Sequence, residues 1–142
     1  MSSTSTNSLA GAELFRDLSA DEIARLDRVA HPRHYDAGTE ILHEGAGGIG
    51  FFVVTAGQVA VSRTGSDGKS QEVRRIGPGG AFGEMALFSD RPRAATVTAV
   101  QPTDCMALHR FEFLDELRRS PDVALRLLDS LARRLDEASA LA

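Results

Sequence analysis

Apolar positions follow two different periods along the 142-residue chain. Residues 1–8 (MSSTSTNS) carry little apolar content, and a disordered tail is expected over 1–11. A helical pattern then runs from about Ala12 through Val29. Within it Ser19-Ala20-Asp21-Glu22 has the capping-box form, with Ser19 accepting at the helix start and Glu22 reaching back. Ile23, Leu26 and Val29 or Ala30 repeat at helical spacing until Pro32 ends the run. From Arg33 to about Leu108 the period shortens to two. Short runs over 40–43, 50–56, 58–63, 71–76, 94–100 and 105–108 are separated by glycine. Phe51, Val53, Val59 and Val61 fall on one face of their strands while Gln58 and Ser62 face away. Gly57 and the Gly65-Ser66-Asp67-Gly68 run mark tight reversals. Helical spacing returns over 111–119. Ser120-Pro121 supplies an N-cap and a proline at the first helical position, and a helix of about five to six turns follows. On it Ala124, Leu128, Leu131, Leu135, Ala138 and Ala142 form a heptad-like seam, flanked by Leu125 and Leu127.

Many short strands with turn signals between them predict a sandwich or barrel, here mainly β with flanking helices. Composition adds exclusions. A hydrophobic fraction of 42% is too high for a disordered chain, and the length suits one domain. A net charge of −4 argues against a nucleic-acid partner. The longest run of bulky apolar residues, Phe51 to Val54, is far too short to span a bilayer, so no membrane partner is expected. The N-terminus lacks the basic patch and apolar core of a signal peptide, and a cytoplasmic location is expected. The lone Cys105 excludes an internal disulfide and a cysteine-rich metal cluster.

The candidate chemistry lies between Gly77 and Val97. Four glycines within seven residues (Gly77, Gly79, Gly80, Gly83) permit close backbone approach, and the apolar turn from Met85 to Phe88 leaves free N–H groups at its start. Glu84 can accept from a sugar hydroxyl. Arg93, nine residues later, offers a planar fork matched to phosphate oxygens, and the small Ala94 and Ala95 leave backbone amides open. No general base, nucleophile or metal cluster accompanies them, so a non-enzymatic binding site is expected. Glycine-rich loops more often just turn the chain, and a Glu and an Arg at this separation more often sit on the surface.

The order of residues decides between these readings. Phe82-Gly83-Glu84-Met85-Ala86-Leu87 followed by Pro92-Arg93-Ala94-Ala95-Thr96-Val97 closely resembles the phosphate-binding cassette of cyclic-nucleotide-binding domains. That family includes the regulatory subunits of cAMP-dependent protein kinase, cyclic-nucleotide-gated channels and the bacterial catabolite activator protein. Leu14 to Ser19 is similar to its opening helix, Gly45 and Gly57 fall where its roll turns, and the last two segments are similar to its hinge and lid helices. The resemblance implies a double-stranded β-helix, a jelly-roll-like β-roll over about 33–109. An N-terminal helix precedes it, a short cassette helix interrupts it, and two C-terminal helices over about 110–141 complete a domain spanning 12–142. It implies that Glu84 holds the ribose 2′-hydroxyl and Arg93 the exocyclic phosphate oxygens. The amides of Ala86 and Ala94 would add phosphate hydrogen bonds, Gly83 would admit the sugar, and Met85 and Leu87 would wall the ribose or anchor the cassette. In the family a Thr directly after the arginine is linked to cGMP preference; Ala94 stands here, so cAMP is expected ahead of cGMP as ligand, with no other cofactor. One of Arg133 or Arg134 could cap the purine, as C-terminal helix residues do in some relatives. Because the chain ends at Ala142, a stand-alone receptor signalling to a protein partner is expected, with a homodimer through the final helix.

Competing readings are a ligand-free dimerisation or docking module derived from a regulator lacking its DNA-binding half, a repressor that has lost that half, and a small cupin-like metal enzyme. Retention of both Glu84 and Arg93 argues against the first. Mild acidity argues against the second. The third needs a His-x-His pair that His31, His34, His43 and His109 do not supply, so these are read as surface or turn histidines and no metal site is expected.

Overall fold

Glycine and proline punctuation divides the middle of the chain into eight short strands. In the computed structural model, which describes residues 8–47, 50–89 and 92–140, they form two four-stranded antiparallel sheets. A 3-10 turn (Glu13–Phe15) and α1 (Ala20–Asp27) lead into β1 (His31–Tyr35), β2 (Glu40–Leu42), β3 (Gly50–Ala56), β4 (Val59–Thr64), β5 (Ser70–Ile76) and β6 (Ala81–Phe82). A second 3-10 turn (Glu84–Leu87), β7 (Thr96–Ala99), β8 (Thr103–His109), α2 (Arg110–Arg119) and α3 (Pro121–Ala140) follow. The sheet orders are β1-β8-β3-β6 and β2-β7-β4-β5, the jelly-roll of the expected class. Pro32 is tolerated because β1 lies on a sheet edge, where one side of the strand needs no ladder donor. Gly57 turns the chain between β3 and β4 at φ +90°, and a Cβ there would run into the Pro102 carbonyl and Thr103.

The centre of the first sheet, β3 and β8, is buried on both faces, which is why β3 reads as the unbroken apolar run Phe51 to Val54. Phe51, Val53, Met106 and Leu108 face a helical layer with Leu9, Phe15, Leu26, Leu87, Phe113, Val123 and Leu127. Phe52, Val54, Cys105 and Ala107 face the interior of the roll, where they meet Val59, Val61, Ile76, Phe82 and Val97. The period-two reading therefore holds within each strand, but Phe51 and Val53 belong to a different core from Val59 and Val61. Phe15 stands edge-on to Phe51 at 5.6 Å, and Phe88 edge-on to Phe113 at 5.6 Å.

Two expectations are corrected at the start of the chain. The tail does not extend to residue 11: Leu9 is fully buried, and Asp27 accepts from the Leu9 amide (2.7 Å) and the Ser8 hydroxyl (2.8 Å). Residues 1–7 lie outside the described residues. The opening helix is two pieces, because the Ser19–Glu22 capping box starts a new helix rather than sitting inside one. At the other end Ser120 stands at the N-cap position of α3, which starts at Pro121 as expected, and its hydroxyl donates to Glu116 (2.7 Å), joining the end of α2 to the start of α3.

Glu22 ties α1 to α3. It is buried, accepts from the Ser19 amide (2.9 Å) and pairs with Arg126 (2.9 Å). The Ser19 amide first, and then Arg126, holds its carboxyl below the ordinary value of 4.5. A depressed carboxylate contributes stability that is fully present above about pH 4.5 and is lost as the pH falls through the lower folded value. Glu22→Gln is therefore expected to be less stable than wild type at pH 7. Its urea midpoint should fall less than the wild-type midpoint between pH 5 and strong acid.

Candidate functional site

The site is assembled where β6 ends. Gly83 takes φ +82°, and a Cβ there would stand 2.9 Å from both Arg93 Nη1 and the Gly50 carbonyl, so the cassette closes on Arg93 only with glycine. The 3-10 turn follows at once. Glu84 is exposed at its start, Met85 is 59% exposed, and Ala86 and Leu87 are buried. The Ala86 amide donates to the Gly83 carbonyl (3.1 Å), so it closes the turn and is not the open phosphate donor that the resemblance implied. Leu87 does not border the cavity. It is fully buried in the helical core, the anchoring role rather than the ribose-walling one.

Arg93 is the other half of the site. Its backbone is clamped, its amide donating to the Ala46 carbonyl (2.9 Å) and its carbonyl accepting from the Gly45 amide (2.8 Å). The side chain is 9% exposed and reaches under the cassette, Nη2 donating to the Gly50 carbonyl (2.7 Å) and Nη1 to the Gly83 carbonyl (3.4 Å). Buried Nε has no partner, and no carboxylate pairs with this guanidinium among the described residues. Burial alone pulls its pKa down, yet a guanidinium stays charged. A desolvated cation held, among the described residues, only by neutral carbonyls is an incomplete arrangement that an anion completes.

Glu84 and Arg93 border one cavity of about 330 Å³, with Gly83, Met85, Ala86, Ala94 and Ala95 also lining it. Seven of the eight residues singled out in the sequence therefore share this cavity. Its far wall is the second sheet: Leu42, Val61 and Val97 give it an apolar side. Arg63, Val73 and Arg74 also line it and were not singled out in the sequence. Extending the alternation two residues past Val61 places Arg63 on the inner face. Arg74 needs the register: it stands opposite Val61, and a bulge leaves Val73 as an extra residue before Ser62 meets Glu72, turning successive side chains to the cavity.

No described residue of α2 or α3 borders the cavity. Arg133 instead pairs with Asp17 (2.9 Å), and Arg134 donates to the Glu13 carbonyl, so both candidate purine caps are engaged on the N-terminal turn. The cassette touches the helices through its other side, where Phe88 meets Phe113 edge-on and Leu87 enters the core that Phe113 shares. The heptad seam on α3 is split: Leu128 is 62% and Leu135 70% exposed, with Leu125 beside them at 67%, whereas Leu131 packs against the helical core next to the buried stripe of Val123, Leu127 and Ser130. Ala142 lies outside the described residues. Among the described residues no helix is long and apolar enough to cross a membrane.

The family model of the cyclic nucleotide-binding domain matches residues 32–120. The chain is 37% identical over 128 residues to the cyclic AMP receptor protein of Thermus thermophilus, an alignment covering 90% of this chain and 59% of that protein. It thus spans about three fifths of that relative's length. The N-terminal domain of a transcriptional regulator from Streptomyces coelicolor superposes with a TM-score of 0.84 at 34% identity, covering 88% of this chain and 89% of that one. The regulatory domain of Toxoplasma gondii PKA, solved with cAMP, superposes with a TM-score of 0.70 at 34% identity, covering 75% of this chain and 41% of that one. By fold, by cassette and by these matches, the chain belongs to the cyclic nucleotide-binding domain family, a regulatory family related to the bacterial cyclic AMP receptor proteins and the PKA regulatory domains.

Proposed function

We propose that the chain is a non-enzymatic cytoplasmic receptor that binds cAMP in preference to cGMP and signals to a protein partner through its C-terminal helices. The observation that carries the reading is Arg93, a buried guanidinium facing a cavity of nucleotide size with only carbonyl partners among the described residues. In this reading Arg93 takes the cyclic phosphate, aided by the Ala94 amide, and Glu84 accepts from the ribose 2′-hydroxyl. Gly83, Ala86 and Ala95 leave room for the sugar, Met85 covers it, and the apolar side at Val61 and Val97 receives the base. Preference for cAMP rests on Ala94, which brings no hydroxyl to the purine's amino group.

Signalling follows from the packing. A ligand that draws the cassette towards Arg93 moves Leu87 and Phe88, and with them Phe113 of α2. The solvent-facing leucines of α3 support a homodimer, since a helix of this length gains most of its stability from burying an apolar face.

Isothermal titration of nucleotide-stripped protein tests the ligand. Saturable heat with cAMP is expected, with cGMP weaker by about fivefold or more, the worth of one absent hydrogen bond. Sedimentation of the same samples reports the dimer. No heat with either nucleotide from folded, empty protein would overturn the receptor, leaving a docking module.

A further inference from the structure

The histidines read in the sequence as separate surface residues do not all remain separate. His31 is the first residue of β1 and pairs in register with Ala107 of β8, which makes His109, two residues further along β8, its diagonal neighbour. Their rings lie 5.5 Å apart at 34°. The chain then enters α2, and helical spacing carries Glu112 back over His109 at i+3. The Glu112 carboxylate stands 2.9 Å from His31 Nε2 and 3.5 Å from His109 Nδ1, and one donor atom from each of the three lies within 4.8 Å of the others. The side chains are 34–40% exposed, open to water on one side.

We propose that His31, His109 and Glu112 form a binding site for a divalent transition metal of the zinc class, distinct from the nucleotide cavity. Two imidazoles and one carboxylate are a zinc donor set, with water in the fourth position. Zinc–nitrogen and zinc–oxygen bonds of about 2.0–2.2 Å place tetrahedral donors about 3.3–3.5 Å apart. The two contacts to Glu112 are already near that spacing, and the half-exposed imidazoles, with donor atoms within 4.8 Å, are close enough for ring rotation to complete it. The other two histidines lack this arrangement: His34 meets Asp104 and Asp36, and His43 meets Glu40, each without a second imidazole. A bound metal would join the start of β1, the end of β8 and the first turn of α2.

The test is a zinc titration of tag-free, chelator-stripped protein in competition with a chromophoric chelator, in the absence of nucleotide. One equivalent is expected to bind. His31→Ala, His109→Ala and Glu112→Gln should each weaken binding by at least about tenfold. The double variant His34→Ala/His43→Ala should leave it unchanged. Glu112→Gln keeps an oxygen within reach of His31, and circular dichroism checks that each variant is folded. Failure to bind one equivalent, or equal binding by wild type and the folded His31→Ala and Glu112→Gln variants, would reduce the cluster to an ordinary histidine–carboxylate contact. Neither result bears on whether cAMP binds, because the readout is zinc alone.

Discussion

Arg93→Glu is expected to abolish cAMP binding, a loss of at least about a hundredfold in affinity, because it removes a buried charge-assisted contact and sets a carboxylate against the phosphate. Reversal also places a negative charge beside the Gly50 and Gly83 carbonyls that now accept from the guanidinium, so some loss of stability accompanies it. Arg93→Gln separates the two effects. Its amide can still donate towards a carbonyl, which protects the fold, but it carries neither the charge nor the fork that a phosphate needs. Arg93→Lys should fall between, retaining charge without bidentate geometry. Titration calorimetry with parallel thermal melts decides the matter. Wild-type affinity in a folded Arg93→Gln variant would show that the phosphate is held elsewhere and remove the basis of the proposed function.

Phe113→Ala is expected to cost about 3–5 kcal/mol, the range for truncating a buried phenylalanine. That is a large fraction of the about 5–15 kcal/mol that holds a domain of this kind together. Phe113 is fully buried and receives Phe88 edge-on at 5.6 Å and Phe15 at 6.5 Å, so its removal opens a hole where the cassette, the N-terminal turn and α2 converge. Phe88→Ala, at a residue already 40% exposed, should be far milder. Urea denaturation of the two single variants and the double variant would isolate the ring pair, expected at about 0.5–1.5 kcal/mol. A Phe113→Ala variant within 1 kcal/mol of wild type would mean that the helical layer adds little to the stability of the roll.

Local chemistry made the cassette legible in the sequence. Gly83, Glu84 and Arg93 are distinctive because each is needed for a backbone angle or a charge, and the structure brings them to one cavity. The Ser19–Glu22 capping box was equally legible, being a motif complete within four residues. Contacts set by register and distance were harder to read. That Arg74 borders the cavity depends on a bulge in the β4–β5 ladder, and that His31 meets His109 depends on the β1–β8 pairing. Period-two reading assigned Phe51 and Val53 a buried face without saying that Phe52 and Val54 face a second core. The seam on α3 was correctly periodic, but periodicity does not say which stripe the fold covers, and here Val123 and Leu127 take that place.

The division of the interior into two cores bears on how such a chain can change over generations. Substitutions that reshape the cavity fall on the cassette and the second sheet, whereas those that alter the helical layer fall on the far side of the first sheet, with β3 between the two cores. Effects of changes that share no partner tend to add rather than interfere. If the proposed function holds, ligand preference and partner choice can therefore drift almost independently, joined mainly by the short turn that carries Leu87 into one core and Glu84 to the edge of the cavity. On the proposed function, a receptor built this way can be re-addressed to a new output without relearning its signal.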